Sequence, residues 1–425
     1  MSQDDGTQPT AGPATNQTTP ATDLPATLPP GGLIQPDDLV YRGAFRLPDV
    51  AGDFGWEWGG TALTYYPEGD PAGPADGYPG SLFATGHDHR QQVSEINIPA
   101  PVVSANKNLA DLNVAETLQP FRDIRAGLVD TAALELPRGG LAYLPAQGAQ
   151  TTGKLHFCWG QHYQEQRTVS HGWCEMDLAH PQAAGGWYLG EYSNYSTNDY
   201  MFDIPAEWAA AHTPGCLLAT GRFRDGGWSG QGPSLFAYGP WNEGNPPPAG
   251  TTLGCTPLIL YTRSDDWDAP TPHTMTGYHH SDEWAGGAWL TAGESVAVIF
   301  VGTKGLGECW YGFANGVVWP DEPPYPPVPD PPYNDRGWWS TRFAARILFY
   351  DPASLAAVAC GQTPQHSPQP YAYLDVDRHL FNPQTEQRKY RLGAAAYDRA
   401  NRLLYVLEIR ADGDRPLAHV WSVSE

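Results

Sequence analysis

A short unit recurs along this chain and constrains its fold more than any other feature. The unit consists of two small residues, an apolar strand, a turn and a second apolar strand that ends in a polar tip. The clearest copy starts at Gly59-Gly60 and ends in His87-Asp88-His89. Four further copies cover residues 139–162, 216–224, 286–304 and 393–410. Another strand-like run follows each copy, so each unit supplies three or four antiparallel strands.

Units of this size cannot bury both faces of a sheet alone. Repeated radially, they pack face to face and leave only short edges, which is the β-propeller arrangement. The small pairs fit the innermost strand of each blade, where only Gly or Ala lets backbones approach closely. Five copies therefore predict an all-β fold, a β-propeller of five blades with long irregular loops. The alternative is a β-sandwich in which the Gly pairs are coincidental.

The chain divides into two parts by composition. Residues 1–32 are rich in Thr, Pro, Gln, Ala and Asp, which predicts a disordered tether. Residues 33–425 are predicted to form a single propeller domain. The strand at residues 41–48 is expected to close the ring by pairing with the last blade. A proline-rich insert at residues 320–332 is expected to be extended and exposed.

Charge and targeting signals bound the partners and the location. The net charge of −23 argues against nucleic acid and against an anionic membrane surface. No apolar stretch is long enough for a transmembrane segment, and Met1 leads directly into polar residues without a signal peptide. A tether of this composition often follows the lipidated cysteine of a bacterial lipoprotein. We therefore expect an extracellular or cell-surface protein whose signal and anchor are absent from this chain.

The six cysteines also bear on location. None forms a CxxC motif, which excludes zinc-ribbon and thioredoxin sites. An even count in a Lys-poor chain points to an oxidising compartment and to disulfides. Cys158 and Cys174 lie on consecutive strands of one predicted hairpin and are the best candidates for a bridge. The alternative is that both are small buried hydrophobic residues.

Polar residues are predicted to gather at one end of the propeller channel. The loop before each small pair and the loop after each second strand share that end, and a convergent polar cluster there is the default site. The candidates after the second strands are His87, His89, Gln161, His162, Arg222, Arg224, Lys304 and Glu408. Those before the small pairs are Glu57, Trp58, Arg138, His279, Asp282 and Trp284.

These residue types leave two catalytic chemistries open. A glycoside hydrolase needs two carboxyl groups, for which Glu57, Asp282 and Glu408 are the candidates. A polysaccharide lyase needs a base beside a cation that neutralises a uronate, and the candidate catalytic bases are His87, His89 and His162. The predicted substrate-binding residues are Arg222, Arg224, Lys304, His279, Gln161, Arg138, Trp58 and Trp284. The commoner alternative for each is an exposed turn residue or a packing residue.

A metal site has weaker support. Alternation along a strand would place His87 and His89 on the same side, where they could hold a divalent ion. Such a motif also arises by chance, and the chain has no calcium-binding loop motif. No cofactor is therefore predicted.

The five-copy pattern resembles the five-bladed β-propellers of the glycan-active and lectin kind. The resemblance covers most of residues 40–425 and is architectural, because no catalytic motif of a family is present. It implies a polysaccharide or glycan partner. We therefore expect a secreted or surface-tethered carbohydrate-active enzyme, a polysaccharide hydrolase or lyase. The alternative is a non-catalytic propeller that binds glycan or protein, as a lectin, adhesin or structural subunit.

The polar tips differ between the five copies, which favours one asymmetric site over repeated equal pockets.

Overall fold

The strands form five sheets arranged as the blades of a β-propeller, which confirms the predicted architecture. The computed structural model describes residues 32–50, 54–71, 73, 77–162, 167–192, 197–222, 231–261, 273–382, 389 and 391–425. The predicted tether therefore lies almost wholly outside the described residues. Within each blade the main strands run antiparallel, from the innermost to the outermost.

The first three blades contain short strands. The chain opens with β1 (Leu39–Arg46), which belongs to the last blade. Blade one consists of β2 (Leu63–Tyr66), β3 (Ser81–Thr85), β4 (Val93–Asn97) and β5 (Thr117–Arg122). Blade two consists of β6 (Leu141–Leu144), β7 (Lys154–Cys158), β8 (His171–Cys174) and β9 (Ala184–Leu189), with β13 (Thr252–Leu253) at its edge. Blade three consists of β10 (Tyr200–Asp203), β11 (Leu218–Gly221), β12 (Leu235–Tyr238) and β14 (Cys255–Ile259).

The last two blades contain longer strands. Blade four consists of β15 (Glu283–Ala292), β16 (Ser295–Phe313), β17 (Arg336–Tyr350) and β18 (Pro370–Asp375). Blade five consists of β19 (Leu392–Asp398), β20 (Leu403–Asp412) and β21 (Arg415–Val423), followed by β1. Two short α-helices, α1 (Ala206–His212) and α2 (Pro352–Ala359), connect strands of blades three and four. Neither α-helix in the described part of the chain is long and apolar enough to cross a membrane.

The first strand closes the ring, as the sequence predicts. β1 pairs antiparallel with β21, with Leu39 opposite Val423 and Arg46 opposite Leu417. The N-terminal strand thereby covers the outer edge of the last blade. An edge that is already paired cannot recruit another chain, which is the usual advantage of such closure.

The small pairs allow the innermost strands of neighbouring blades to touch. A Cβ atom at Gly140 would lie 2.9 Å from the backbone nitrogen of Met201, and one at Gly286 would lie 2.6 Å from that of Ala395. A Cβ atom at Gly393 would lie 2.1 Å from the carbonyl oxygen of Gly60. A side chain larger than that of glycine does not fit at these distances. The close approach of the innermost strands therefore explains why small residues recur at these positions.

Apolar faces hold the blades together. Trp289 and Phe300 of blade four share one core with Phe202 of blade three. On the other face of blade four, Ile299 packs in a core with Leu404 of blade five. Each such fully buried side chain contributes about 1.5–3 kcal/mol relative to exposure. The packed faces of the sheets therefore stabilise the fold, and the loops at the two ends are the places to look for a functional site.

The structure corrects the disulfide prediction. All six cysteines lie in the described part of the chain and are free thiols. The register of β7 and β8 places Cys158 opposite His171 and Cys174 opposite Leu155, so the two thiols are not opposite each other. They belong to different cores, and burial raises the pKa of each to about 12. Both are buried hydrophobic residues, which was the alternative interpretation.

Blade four extends beyond the ring as a two-stranded arm. β15 pairs with β16 only as far as Thr303, whereas β16 and β17 stay paired out to Phe313 opposite Arg336. Trp310, Trp339 and Phe343 form a small core within this arm. The proline-rich residues 320–332 lie at its tip and are mostly exposed, as expected from the sequence.

Candidate functional site

The propeller has two ends, and the sequence-based candidates belong to one of them. We call the end at which the innermost strands β2, β6, β10, β15 and β19 begin the mouth end, and the opposite end the far end. The strand directions bring the described candidate residues to the mouth end, where Trp284, Lys304 and Glu408 lie within β15, β16 and β20. Arg224 lies outside the described residues.

Asp282 and Lys304 form a buried ion pair at the mouth end. The Lys304 Nζ donates to Asp282 Oδ1 at 2.8 Å and to the carbonyl oxygen of Gly305 at 2.7 Å. The Gly305 amide donates to the same carboxylate oxygen at 2.8 Å. Burial lowers the pKa of Lys304, and the neighbouring Asp282 opposes that shift. Both charged groups thus have their hydrogen-bond partners inside the protein. Removal of either one would leave the other as an isolated buried charge.

His279 adjoins this ion pair. Its backbone amide donates to Asp282 Oδ2 at 3.1 Å, and its ring Nδ1 lies 3.1 Å from Ser340 Oγ. Ser340 Oγ lies in turn 2.7 Å from Ser281 Oγ, and both serines are fully buried. Burial lowers the pKa of His279 to about 4, and the charge of Lys304 adds to the shift. At neutral pH the imidazole is uncharged and offers no positive charge to an acidic substrate.

Arg222 contacts two other predicted residues, Gln161 and His162, at the junction of blades two and three. Its Nη2 donates to the carbonyl oxygen of His162 at 3.1 Å, and its Nη1 donates to the carbonyl oxygen of Gln161 at 3.4 Å. Nη1 also donates to Asn198 Oδ1 at 2.9 Å, and Nε lies 3.3 Å from Asp199 Oδ2. The guanidinium is fully buried. The structure therefore uses it to join two blades.

The two histidines of blade one remain at the surface. His87 is half-buried and its Nδ1 lies 3.2 Å from Asp88 Oδ1, while the centroids of the His87 and His89 rings are 5.9 Å apart. Within the described residues, no group of three or more His, Cys, Asp or Glu side chains converges in a way that could hold a metal ion.

The remaining mouth-end candidates differ in exposure. Trp58 is 40% exposed, with the Arg410 guanidinium 4.0 Å above its ring. Glu57 is half-buried in the same loop, and the Arg138 backbone pairs with Gly160. Trp284 is fully buried in the core between blades three and four. Its ring has no face open to a sugar, contrary to the prediction.

Glu408 is fully buried within blade five. Its Oε2 accepts from the Phe381 amide at 2.8 Å and lies 2.9 Å from His419 Nε2, and its Oε1 accepts from the Asn382 amide at 2.9 Å. Burial acts to raise the pKa of Glu408, but these hydrogen bonds outweigh it and hold the pKa below its ordinary value. Tyr41 Oη lies 3.0 Å from His419 Nδ1, so one polar chain crosses β20, β21 and β1.

Blade one contains the same construction with different residues. Ser81 Oγ donates to Glu95 Oε1 at 2.5 Å, and Gln119 Nε2 donates to Glu95 Oε2 at 2.7 Å. This chain crosses β3, β4 and β5, which correspond to β20, β21 and β1 in blade five. A buried carboxylate therefore links the second, third and fourth strands in blades one and five, from the third strand in blade one and from the second in blade five. The parallel favours a structural role for Glu408.

The sequence did not indicate one cleft that is present among the described residues. This cleft has a volume of about 690 Å³ and lies at the far end between blades one and two. It is lined by Tyr66, Glu68, Tyr143, Pro145, Ala146, Thr152, Gly153, Glu175, Met176, Asp177, His180 and Gln182. These residues come from three turns on two blades, so no local motif marks them. The one available signal is that Tyr66 and Tyr143 each follow a small pair.

Two tyrosines form the aromatic part of this far-end cleft. The rings of Tyr66 and Tyr143 meet edge to face, with centroids 4.8 Å apart and an interplanar angle of 64°. Tyr66 Oη donates to Glu68 Oε2 at 3.4 Å. Burial raises the pKa of Tyr66 to about 12, and the charge of Glu68 adds to the shift. Both phenols are thus neutral hydrogen-bonding groups at ordinary pH.

Three carboxylates form the polar part of the far-end cleft. Glu68 and Asp177 are exposed, and Glu175 is half-buried and paired with Lys154 behind it. Asp177 Oδ2 lies 2.9 Å from His180 Nδ1, and this hydrogen bond lowers the pKa of Asp177. The described lining contains no Lys or Arg. The cleft therefore presents many hydrogen-bond acceptors and a negative charge.

The fold and the cleft define a five-bladed β-propeller with an open polar and aromatic site at its far end. No protein-family model matches the chain, and no curated protein matches it.

Proposed function

We propose that the protein is a glycan-binding β-propeller that holds a polysaccharide in the far-end cleft. The lining of the cleft carries the proposal. A sugar ring has apolar C–H faces that pack on aromatic rings, and Tyr66 and Tyr143 provide such rings in the cleft. The hydroxyl groups of a sugar donate hydrogen bonds to carboxylates, and Glu68 and Asp177 provide such acceptors. An open cleft also suits a polymer, because the chain must continue beyond the bound units.

The charges favour a saccharide without carboxylates. Glu68, Glu175 and Asp177 would repel a uronate, and Lys154 is already paired with Glu175. At the mouth end, the cations Lys304 and Arg222 are held by Asp282 and Asp199. A uronate lyase needs a cation that can neutralise its substrate, so the geometry favours binding over lyase chemistry.

Hydrolysis at the same cleft is a second candidate function. The observation in its favour is that two exposed carboxylates, Glu68 and Asp177, line one cleft. A hydrolase needs one carboxyl as acid and another as base or nucleophile. Asp177 suits the base or nucleophile, because its hydrogen bond with His180 lowers its pKa. Glu68 would then supply the acid.

A polysaccharide partner agrees with the secreted or cell-surface location that we expect from the composition. The net charge of −23 likewise disfavours nucleic acid as a partner.

Binding is tested by affinity electrophoresis and calorimetry on a panel of neutral and charged polysaccharides. We expect at least one polysaccharide without carboxylates to bind, and Tyr66→Ala to weaken that binding about tenfold, or roughly 1.4 kcal/mol. Tyr333→Ala is the matched control, because Tyr333 is 44% exposed on the blade-four arm, outside the cleft. A protein that binds nothing on the panel, or a Tyr66→Ala variant that binds like wild type, would overturn the proposal.

Hydrolysis is measured on the same panel through new reducing ends. Slow release that Glu68→Gln abolishes would make the protein a hydrolase, whereas binding without release leaves it a lectin.

A further inference from the structure

We infer that the far-end cleft selects a saccharide with free, protonated amino groups, and that Glu68 binds the ammonium beside Tyr66 and Tyr143. The inference rests on the proposed function and names its substrate class: a polymer of amino sugars whose nitrogens are not acylated.

The charge balance of the far-end cleft gives the first argument. Glu175 is paired with Lys154, and Asp177 Oδ2 lies 2.9 Å from the His180 ring, which is a cation only when it is protonated. Among the described residues, the hydrogen-bond partner of Glu68 is the neutral hydroxyl of Tyr66. Glu68 therefore contributes a negative charge that no ion pair within the described part of the chain balances. A ligand that brings one positive charge would complete the site.

The aromatic residues give the second argument. Glu68 acts on both phenols, since its charge helps to raise the pKa of Tyr66 and of Tyr143. The two rings stand at 64° to each other, so they form two walls of different orientation beside the same carboxylate. The face of a tyrosine ring attracts an ammonium group electrostatically. An anion beside two tyrosines is thus a chemically matched site for an amine.

The rest of the cleft favours an amine on a sugar over an isolated amine. The lining also includes Thr152, Asp177 and Gln182, which come from other turns than Glu68. The oxygen atoms of these side chains can accept hydrogen bonds from hydroxyl groups. A sugar has such hydroxyl groups, whereas a polyamine or a lysine side chain has none. An amino sugar matches both parts of the lining.

The test compares oligomers of glucosamine in their fully acetylated and fully deacetylated forms, by calorimetry at pH 5.5. At this pH the amines of the deacetylated oligomer are mostly protonated. We expect the deacetylated oligomer to bind about tenfold more tightly than the acetylated one, with an advantage that shrinks as salt is added. Glu68→Gln should reduce the advantage to about twofold or less and keep the shape of the side chain. Glu308→Gln, an exposed glutamate on the blade-four arm, is the matched control and should keep the full advantage.

The outcomes separate this inference from the proposed function. Equal binding of the two oligomers, weakened by Tyr66→Ala but not by Glu68→Gln, would overturn the inference and leave glycan binding intact. Binding of spermine or of a lysine oligopeptide, without binding of either oligomer, would show an amine site that does not take amino sugars and would overturn the inference. If no polysaccharide on the panel binds, the proposed function is overturned as well.

Discussion

At the mouth end Asp282 and Lys304 meet inside the protein, whereas at the far end Glu68 and Asp177 are exposed around an open cleft. These two pairs of residues include carboxylates at both ends, and they differ in exposure and in partners. Buried charges at the mouth end hold neighbouring segments in place. Carboxylates at the far end can exchange water for a ligand. The comparison shows that a polar residue in the right loop is a site residue only if its hydrogen-bonding capacity is left for the ligand.

The largest expected effect comes from breaking the mouth-end ion pair. Asp282→Ala leaves Lys304 buried without its counterion, and it also removes the acceptor of the Gly305 and His279 amides. We expect a loss of about 3–5 kcal/mol in the free energy of unfolding, measured by urea denaturation at pH 7. Asp177→Asn at the far end is the control and should leave the unfolding midpoint unchanged, since that carboxylate is exposed. A small loss for Asp282→Ala would mean that the two ends do not differ as described.

The next effect is a loss of stability in mild acid. Burial lowers the pKa of His156 and His171 to about 3, and of His279 to about 4. Below pH 6.5 the unfolded chain binds protons that the folded chain does not, so stability is full above that pH and falls as the pH decreases towards 4. Each such histidine contributes about 1.4 kcal/mol per pH unit in this window.

His156→Gln tests this pH dependence at one position. Glutamine can keep a hydrogen bond to Gln150, which lies 2.9 Å from the His156 ring. The unfolding free energy of this variant, measured from pH 6.5 to 4.5, should fall less steeply than that of wild type. The exposed His180→Gln should retain the full slope. Parallel curves for all three proteins would contradict the assignment.

The fold could be predicted from the sequence because its cause is local. Small pairs recur where the backbones of neighbouring innermost strands touch, as at Gly393 and Gly60. Because each blade has the same steric requirement, the same residue pattern recurs in the sequence. The closing strand β1 could be predicted for the same reason, since a propeller needs its last edge covered. The strand β5 has a mostly exposed, polar sequence without the recurring pattern, so this fourth strand of blade one could not be predicted in the same way.

The site could be predicted only in part, because pairing is not local. Topology predicts Asp282 and Lys304 at one end, but nothing in the sequence shows that these two side chains form an ion pair. The far-end cleft brings Tyr66, Tyr143 and Asp177 together from separate turns on two blades. A motif search cannot find such a site, since only the packing of the blades creates it.

One comparison of variants tests most directly whether ligand binds at the far end. The polysaccharide that binds wild type is titrated calorimetrically into Tyr66→Ala and into Trp58→Ala, which removes an aromatic ring that is 40% exposed at the mouth end. We predict that Tyr66→Ala loses about tenfold in affinity and that Trp58→Ala binds like wild type. Loss of binding in Trp58→Ala with retention in Tyr66→Ala would place the ligand at the mouth end and contradict the account.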